Sequence, residues 1–211
     1  MSAFTDAVAK QCLDQFKRFN NGKGTETKDP FAGFVGEFWK QGLKINNIDG
    51  RTTFQDSSGN PFRPAWSAAF ISFIMRTAGA GNAFFYSEAH IHYAVKAIRD
   101  AKAQDSTAKF LGRDPTTQAP KVGDLLTAGR GASKDVTFSN VLQKYGPKKV
   151  PLGNFMTTHS DIVIAVDPAK KQLTTIGGNV EDTVGKKTWA LKANGTLVKG
   201  PSLICVIECL L

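Results

Sequence analysis

The chain has 211 residues, enough for one well-filled hydrophobic core, with 27 Lys and Arg against 18 Asp and Glu and a net charge of +9 at pH 7. Hydrophobic residues make up 41% and charged residues 21%, which excludes a disordered or a fibrous class. The positive residues are scattered through apparent turns and form no arginine-rich helix, so we expect no nucleic-acid groove. The charge favours some other anionic partner, such as a membrane surface or the bacterial cell wall.

The sequence shows no targeting or membrane segment. Residues 1–6 have no basic stretch followed by an apolar one, so we expect synthesis in the cytoplasm without a cleaved signal peptide. Action in the periplasm or on another cell would then need a signal-independent export route. The longest apolar run, residues 203–211, is too short to span a bilayer. Cys12, Cys205 and Cys209 fit neither a disulfide framework nor a zinc set, and we expect buried thiols.

The first half of the chain has helical periodicity. Residues 3–19 place apolar side chains at four-residue steps, which predicts an amphipathic helix. A second helix begins at Pro30, and the polar stretch 46–64 predicts a long loop of the kind that often carries function. Residues 66–78 form the most apolar helix, which we expect to be buried on nearly all sides. A fourth helix, capped by a serine, covers residues 87 to about 102.

The second half changes to short β-type runs separated by turn residues. The runs are residues 122–126, 160–166, 172–176, 188–191 and 203–208. Helices followed by a meander of strands predict an α+β fold, in which N-terminal helices pack on a C-terminal antiparallel sheet. We expect a single domain over residues 1–211, with a helical extension at residues 1–45 and a core from about residue 60 to 211.

A serine opens the most apolar helix. Pro64 sets a non-helical entry, and Ser67 falls in the first helical turn. Unpaired N–H groups and the helix dipole at this end stabilise a developing anion. A serine also needs a positioned base that takes its proton during attack. Ser67 is therefore a candidate nucleophile, with a helix cap or a small packing residue as the alternative.

A histidine precedes the clearest predicted strand. His159 is the only histidine of the β half and stands at the mouth of the strand at residues 160–166. A catalytic histidine needs a third polar group that orients its far ring nitrogen. Asn179 ends the next strand, and a short turn at residues 167–168 would bring it back beside His159. Second choices for the orienting group are Glu181 and Asp182.

The fourth helix carries two weaker signals. His90 and His92 could offer two metal ligands beside His159 or Asp161, but positions i and i+2 diverge on a helix, so we expect neither a metal nor a cofactor. His90 and Tyr93 share a helix face. We expect this pair to line the cleft, with a packed or surface role as the alternative.

Four short motifs occur in one order along the chain. They are Trp-Ser-Ala-Ala-Phe from residue 66, Gly-Asp-Leu from residue 123, His159 before an apolar strand, and Gly-Gly-Asn from residue 177. The set resembles the CHAP and NlpC-type branch of the papain-like peptidoglycan hydrolases, in which a cysteine usually stands where Ser67 does. It is still more similar to an uncharacterised bacterial domain family with this serine and a Ser-x-x-His-x-x-Tyr segment, here Ser87, His90 and Tyr93. The resemblance covers roughly residues 60–192.

The resemblance implies a papain-like fold and amidase or endopeptidase action on peptidoglycan peptides, as an exported antibacterial effector or a lysin. Ser67 would be the nucleophile, His159 the general base and Asn179 the orienting residue. The expected substrate contacts are Trp66, His90, Tyr93 and Asp161. An immunity or secretion protein is an expected partner. Two alternatives stay open: a catalytically inactive module that binds cell-wall glycopeptide or a protein, and a hydrolase of amides or esters outside the wall.

Overall fold

The computed structural model describes residues 2–146, 156–198 and 203–211. Its helices are α1 (Ala3–Arg18), α2 (Phe31–Glu37, continued by a π-helical turn at Phe38–Leu43), α3 (Ser67–Thr77), α4 (His90–Ala103) and α5 (Phe138–Tyr145). Its strands are β1 (Phe54–Gln55), β2 (Pro61–Phe62), β3 (Phe110–Arg113), β4 (Leu125–Gly129), β5 (Thr158–Asp167), β6 (Gln172–Val180), β7 (Thr183–Ala190) and β8 (Leu203–Cys209). No helix within these ranges is long and apolar enough to cross a membrane.

Six strands form one antiparallel sheet in the order β3-β8-β4-β5-β6-β7. β4 pairs with β5 so that Ala128 lies opposite His159, and β5 pairs with β6 so that Ile162 lies opposite Ile176. β1 and β2 form a separate hairpin inside the predicted loop at residues 46–64. The predicted α+β architecture with an antiparallel sheet is confirmed.

The helices cover the sheet and fix α3 at the centre of the core. α1 and α3 pack on β5 and β6, and α4 packs on β3, β5 and β8. Residues 67–75 of α3 are all buried, as the apolar pattern predicted. Phe38 stacks on Trp66 with ring centroids 5.6 Å apart and meets Phe70 edge-on at 5.3 Å. Burial of each such ring contributes about 1.5–3 kcal/mol, so the N-terminus of α3 has a fixed position.

Besides the hairpin of β1 and β2, the sequence pattern does not predict β3 and α5. β3 has four residues, too few to show alternation clearly, and it pairs with β8 at the sheet edge. α5 has eight residues, and its start is set by Thr137, whose hydroxyl accepts the backbone N–H of Asn140. Short elements depend on tertiary packing more than on periodicity, which explains both omissions.

The thiols are free and largely enclosed. Cys12 and Cys205 are buried as expected, whereas Cys209 is half-buried. Burial raises the pKa of Cys205 to about 12 and that of Cys209 to about 11. A thiolate is the reactive form of cysteine, so neither group has the surroundings of a nucleophile.

Candidate active site

Ser67 is the first residue of α3 and lies on an open cleft. The first backbone hydrogen bond of the helix runs from the Phe70 N–H to the Trp66 carbonyl, at 2.9 Å. The preceding N–H groups therefore have no partner within the helix, and the helix dipole adds about half a positive charge at this end. Ser67 is 7% exposed and lines a cleft of about 470 Å³. Negative charge that develops at this hydroxyl or beside it is stabilised.

The cleft wall is built by five parts of the chain around the serine. The other lining residues are Trp39, Pro64, Ala65, Glu88, Ala89, His90, Ala132, Ser133, Met156, Thr157 and Thr158. The π-helical turn after α2, the loop before α3, the start of α4 and the segments that flank β4 and β5 therefore converge here. The cleft is open to solvent, so an extended substrate can reach Ser67 without passing through the core.

His90 is the hydrogen-bond partner of the Ser67 hydroxyl. The distance from Ser67 Oγ to His90 Nε2 is 2.6 Å, and His90, the first residue of α4, is 4% exposed. His90 Nδ1 forms a short hydrogen bond with the hydroxyl of Tyr93, one turn along the same helix. When Ser67 donates to Nε2, Nδ1 carries the ring proton and donates to the Tyr93 oxygen. The three side chains form a Ser-His-Tyr chain with the connectivity of a catalytic triad.

The protonation states of His90 and Tyr93 would allow His90 to accept a proton. Burial lowers the pKa of His90 well below its ordinary value of 6.5, and the charges of His159 and Arg130 lower it further, whereas Asp161 opposes the shift. His90 is therefore neutral at pH 7 and has a lone pair for the serine proton. Burial raises the pKa of Tyr93 well above 10, so its phenol stays protonated. A neutral group, and not a carboxylate, orients the histidine.

A second histidine lies beside the first. The ring centroids of His159 and His90 are 5.2 Å apart. His159 Nε2 lies 2.9 Å from Asp161 Oδ1, on the same face of β5, and the other oxygen of Asp161 lies 3.3 Å from Lys187 Nζ. Burial lowers the pKa of His159 although Asp161 opposes it. Burial also disfavours ionised Asp161, but His159 and Lys187 outweigh burial, and its pKa is lowered. Neutral His159 therefore donates its Nε2–H to the Asp161 carboxylate.

The hydrogen-bond partner of Ser67 is not the histidine that the sequence analysis predicted. The sequence interpretation made His159 the partner of Ser67, but α4 brings His90 to the hydroxyl instead. His159 uses its Nε2 on Asp161 and is not part of the cleft lining. The physical reason is that both Ser67 and His90 open helices, α3 and α4, and these two helix ends meet at one cleft wall.

The predicted orienting residue also lies elsewhere. Asn179 sits at the irregular junction of β6 and β7 with φ of 55°, in the left-handed region that asparagine tolerates. Glu181 and Asp182 continue the same turn with φ of 54° and 61°. In the described part of the chain, no hydrogen bond joins Asn179 to either histidine. Tyr93 holds the orienting position beside His90. The spacing of His90 and Tyr93 on one helix face was the available signal.

Only one of the four expected substrate contacts lines the cleft. His90 lines the cleft, whereas Trp66, Tyr93 and Asp161 are at most 3% exposed and are not among its lining residues. The Trp66 indole donates its Nε1–H to the buried Glu26 carboxylate at 2.5 Å. Trp66 is therefore a packing residue that fixes the start of α3. Burial raises the pKa of Glu26, although the indole hydrogen bond opposes this.

The glycine pair at residues 177–178 allows a close backbone approach. A Cβ on Gly178 would lie 2.5 Å from the Cβ of Phe70 in α3. A Cβ on Gly177 would overlap the Asp161 carboxylate and lie 3.1 Å from His159 Nε2. The absence of side chains here lets β6 close against α3 and against the His159-Asp161 pair.

The Gly-Asp-Leu motif has a structural role. Asp124 is 1% exposed, and its two oxygens accept the backbone N–H groups of Cys209 and Lys121 at 2.9 and 2.8 Å. Burial raises the pKa of this carboxyl to about 6, against the effect of these hydrogen bonds. Gly123 has φ of +94° and faces Thr5 of α1. The motif therefore ties the start of β4 to β8 and to α1.

The described residues bring no metal-binding set together. Across residues 2–146, 156–198 and 203–211, no three His, Cys, Asp or Glu side chains are arranged to hold a metal ion. The Nδ1 of His92 is hydrogen bonded to Ser87 Oγ at 2.8 Å, whereas both ring nitrogens of His90 belong to the Ser-His-Tyr chain.

These features define a class of protein: an α+β chain in which a serine at one helix N-terminus is hydrogen bonded to a histidine that opens a second helix. The chain belongs to the bacterial family described as "Uncharacterized protein conserved in bacteria (DUF2272)", whose model matches residues 32–207. Ser67, His90 and Tyr93 all lie within that match. No curated protein and no solved structure matches the chain.

Proposed function

We propose that the protein is a serine-dependent hydrolase that cleaves amide bonds of cell-wall peptides, as an amidase or an endopeptidase of papain-like architecture. The supporting observation is the 2.6 Å contact between Ser67 Oγ and His90 Nε2 at a helix N-terminus on an open cleft. A serine is not ionised at neutral pH, so a neutral imidazole at hydrogen-bond distance is what its activation requires.

The reaction follows from the positions of these groups. Ser67 Oγ attacks the substrate carbonyl carbon while its proton passes to His90 Nε2. The free N–H groups at the start of α3 stabilise the negative carbonyl oxygen of the tetrahedral intermediate. His90 then protonates the leaving amine, and the C–N bond breaks to give an acyl-serine. Water, deprotonated by His90, attacks this ester, and the serine recovers its proton.

Tyr93 and the His159-Asp161 pair support His90 in different ways. The Tyr93 oxygen accepts the Nδ1–H and holds the ring with Nε2 towards Ser67. Ionised Asp161 stabilises positive charge on His90 through space, because it acts against the lowering of the His90 pKa. Asp161 thereby supplies part of the stabilisation that a carboxylate provides in a Ser-His-Asp triad.

Two features favour the cell wall as substrate. The net charge of +9 attracts an anionic polymer, and the cleft is open enough for a peptide branch of such a polymer. The helix with its N-terminal nucleophile also packs on β5 and β6 of an antiparallel sheet, the arrangement expected of a papain-like hydrolase. Here a serine occupies the nucleophile position.

The decisive experiment separates His90 from His159 as the base. Wild type, Ser67→Ala, His90→Gln and His159→Gln are incubated with purified peptidoglycan and, separately, with a fluorophosphonate probe that labels activated serines. We expect muropeptide release and labelling in the wild type and neither in Ser67→Ala. His90→Gln should lower the rate about 10²–10⁴-fold because general-base catalysis is lost.

His159→Gln is the matched control, since glutamine can still donate to Asp161. We expect it to retain more activity than His90→Gln by at least tenfold. Equal loss in both variants would contradict the assignment of His90 as base. Probe labelling without muropeptide release would favour a hydrolase of another amide or ester. Binding of peptidoglycan by wild type and Ser67→Ala alike, with no labelling, would favour the inactive binding module.

A further inference from the structure

An arginine lies at the edge of the cleft without an acidic partner. Arg130 follows β4, is exposed, and donates its backbone N–H to the Thr157 carbonyl at 2.8 Å. Thr157 and the next residues after Arg130 in the chain, Ala132 and Ser133, all line the cleft. The guanidinium is close enough for its charge to act on His90. Arg130 is not itself a lining residue, but its backbone lies at the rim, between two segments that line the cleft.

Three other arginines of this protein form ion pairs with carboxylates. The pairs are Arg18 with Glu37, Arg51 with Asp29 and Arg113 with Glu208, each at 2.9 Å. All 18 acidic residues of the chain fall within the described ranges, and none of them forms an ion pair with Arg130. The charge of the exposed Arg130 guanidinium is therefore not neutralised by a carboxylate of this chain.

The charge of Arg130 makes both histidines less basic. Its charge lowers the pKa of His90 and that of His159, and a less basic imidazole is a weaker proton acceptor. No ion pair within the fold compensates for this effect. An anionic group of the substrate would compensate for it, because the group would neutralise the guanidinium while the reaction proceeds.

We propose that Arg130 is a specificity-determining residue that binds a free carboxylate of the substrate beside the scissile amide bond. The inference rests on the proposed hydrolase function of the same cleft. A planar guanidinium can bind a carboxylate through two parallel hydrogen bonds, which fixes the substrate as well as attracting it. The preferred substrate is therefore an acyl peptide with a carboxylate near the bond that is cleaved.

The test uses two substrates of the same length that differ in one charge: glutaryl-alanine p-nitroanilide, with a carboxylate, and pentanoyl-alanine p-nitroanilide, without one. We expect kcat/KM to be at least tenfold higher for the glutaryl compound, mainly through KM, because its carboxylate adds charge-assisted hydrogen bonds to the guanidinium. Arg130→Gln should abolish the preference, so that the two compounds give the same kcat/KM. Arg130→Lys should retain part of it.

Lys192→Gln is the matched control, since it removes one exposed positive charge from the turn after β7. It should keep the full preference. With the neutral compound, Arg130→Gln should also move the acid limb of kcat/KM to higher pH, because a repelling charge near His90 is gone. An unchanged preference in Arg130→Gln, or an equal loss in Lys192→Gln, would overturn the proposal.

Binding separates this inference from the proposed function. The same two compounds are titrated into Ser67→Ala and Ser67→Ala/Arg130→Gln by calorimetry. Tighter binding of the glutaryl compound that depends on Arg130, without turnover by the wild type, would support the carboxylate site and contradict the hydrolase. Equal binding of the two compounds to Ser67→Ala, or binding of neither, would overturn the carboxylate site.

Discussion

Tyr93 gives the proposed site its particular chemistry. Its hydroxyl, buried with the ring, takes the place beside His90 Nδ1 that a carboxylate takes in a Ser-His-Asp triad. A neutral phenol fixes the ring and its tautomer but adds no negative charge. The charge comes from Asp161, which is bonded to the other histidine, so orientation and electrostatic support reside in separate residues.

Replacement of Tyr93 by phenylalanine tests the orienting role. The ring remains in the core, but the Nδ1–H of His90 loses its acceptor, and an unmet buried hydrogen bond costs about 1–3 kcal/mol. We expect kcat/KM to fall about 5- to 150-fold, mainly through kcat. The acidic side of the pH profile of kcat/KM should move to lower pH, because protonated His90 becomes less stable. Steady-state kinetics against pH provides the measurement.

Tyr86→Phe is the control for that prediction. The Tyr86 hydroxyl is buried and has no hydrogen-bond partner among the residues that the structure describes, so its removal should leave both activity and the free energy of unfolding nearly unchanged. A Tyr93→Phe variant as active as Tyr86→Phe at every pH would show that the phenol does not orient His90.

The sequence predicts the place of the serine better than the place of its partner. Ser67 could be placed because Pro64 and the apolar run after it define a helix start. His90 and Tyr93 could be assigned to one helix face, but periodicity does not tell which other helix that face meets. His159 was the more conspicuous histidine because it precedes an obvious strand, whereas its contact with Asp161 depends on the pleat of β5.

At the scale of elements, the contact between α3 and β6 holds Ser67 in position. Gly178 lets the β6 backbone come against Phe70, one helical turn after Ser67. A tight contact at this point leaves α3 little freedom to shift along the sheet. The N-terminal N–H groups of α3 therefore keep a constant position relative to His90, which opens α4.

Gly178→Ala should damage activity through this contact. The added methyl group would lie 2.5 Å from Phe70 Cβ, and overpacking of this kind costs about 1–3 kcal/mol. We expect a lower urea midpoint of unfolding and a larger fractional loss of kcat than the loss of folded protein explains, because α3 must move.

Gly33→Ala is the matched control. Gly33 lies in α2 with no atom within 4 Å of an added Cβ, and alanine in a helix is more stable than glycine by about 0.5–1 kcal/mol. This variant should gain stability and keep its kcat. If Gly178→Ala is as stable and active as the wild type, the contact does not determine the position of α3.

The sequence pattern predicts long elements well and short ones poorly. α1, α3, α4 and the long strands β5 and β6 follow apolar periodicity or turn signals closely. β3 and α5 have four and eight residues, and their existence depends on what they pack against. The sheet order could not be predicted either, because β8, the last strand of the chain, inserts between β3 and β4.

For the molecule as a whole, buried ionisable groups make stability depend on pH in two opposite ways. His90 and His159 have lowered pKa values in the folded protein, so below pH 6.5 the unfolded chain binds more protons and acid destabilises the fold. Asp124 has a folded pKa of about 6 against 3.8 for a free carboxyl, so between these values the folded protein binds the extra proton. Its contribution to stability therefore rises as the pH falls.

The free energy of unfolding, measured by urea titration at pH 7.5 and pH 5.0, should show both contributions. Each buried histidine lowers it by up to about 1.4 kcal/mol for every unit below pH 6.5, until its own folded pKa is reached. The two histidines outweigh the carboxyls of Asp124 and Glu26, whose pKa values are both raised, so we expect the wild type to be less stable at pH 5.0. His90→Gln should lose less stability between pH 7.5 and pH 5.0, because one of the two buried histidines is gone. Asp124→Asn should lose more, because one opposing group is gone; equal losses in all three proteins would contradict the assignment.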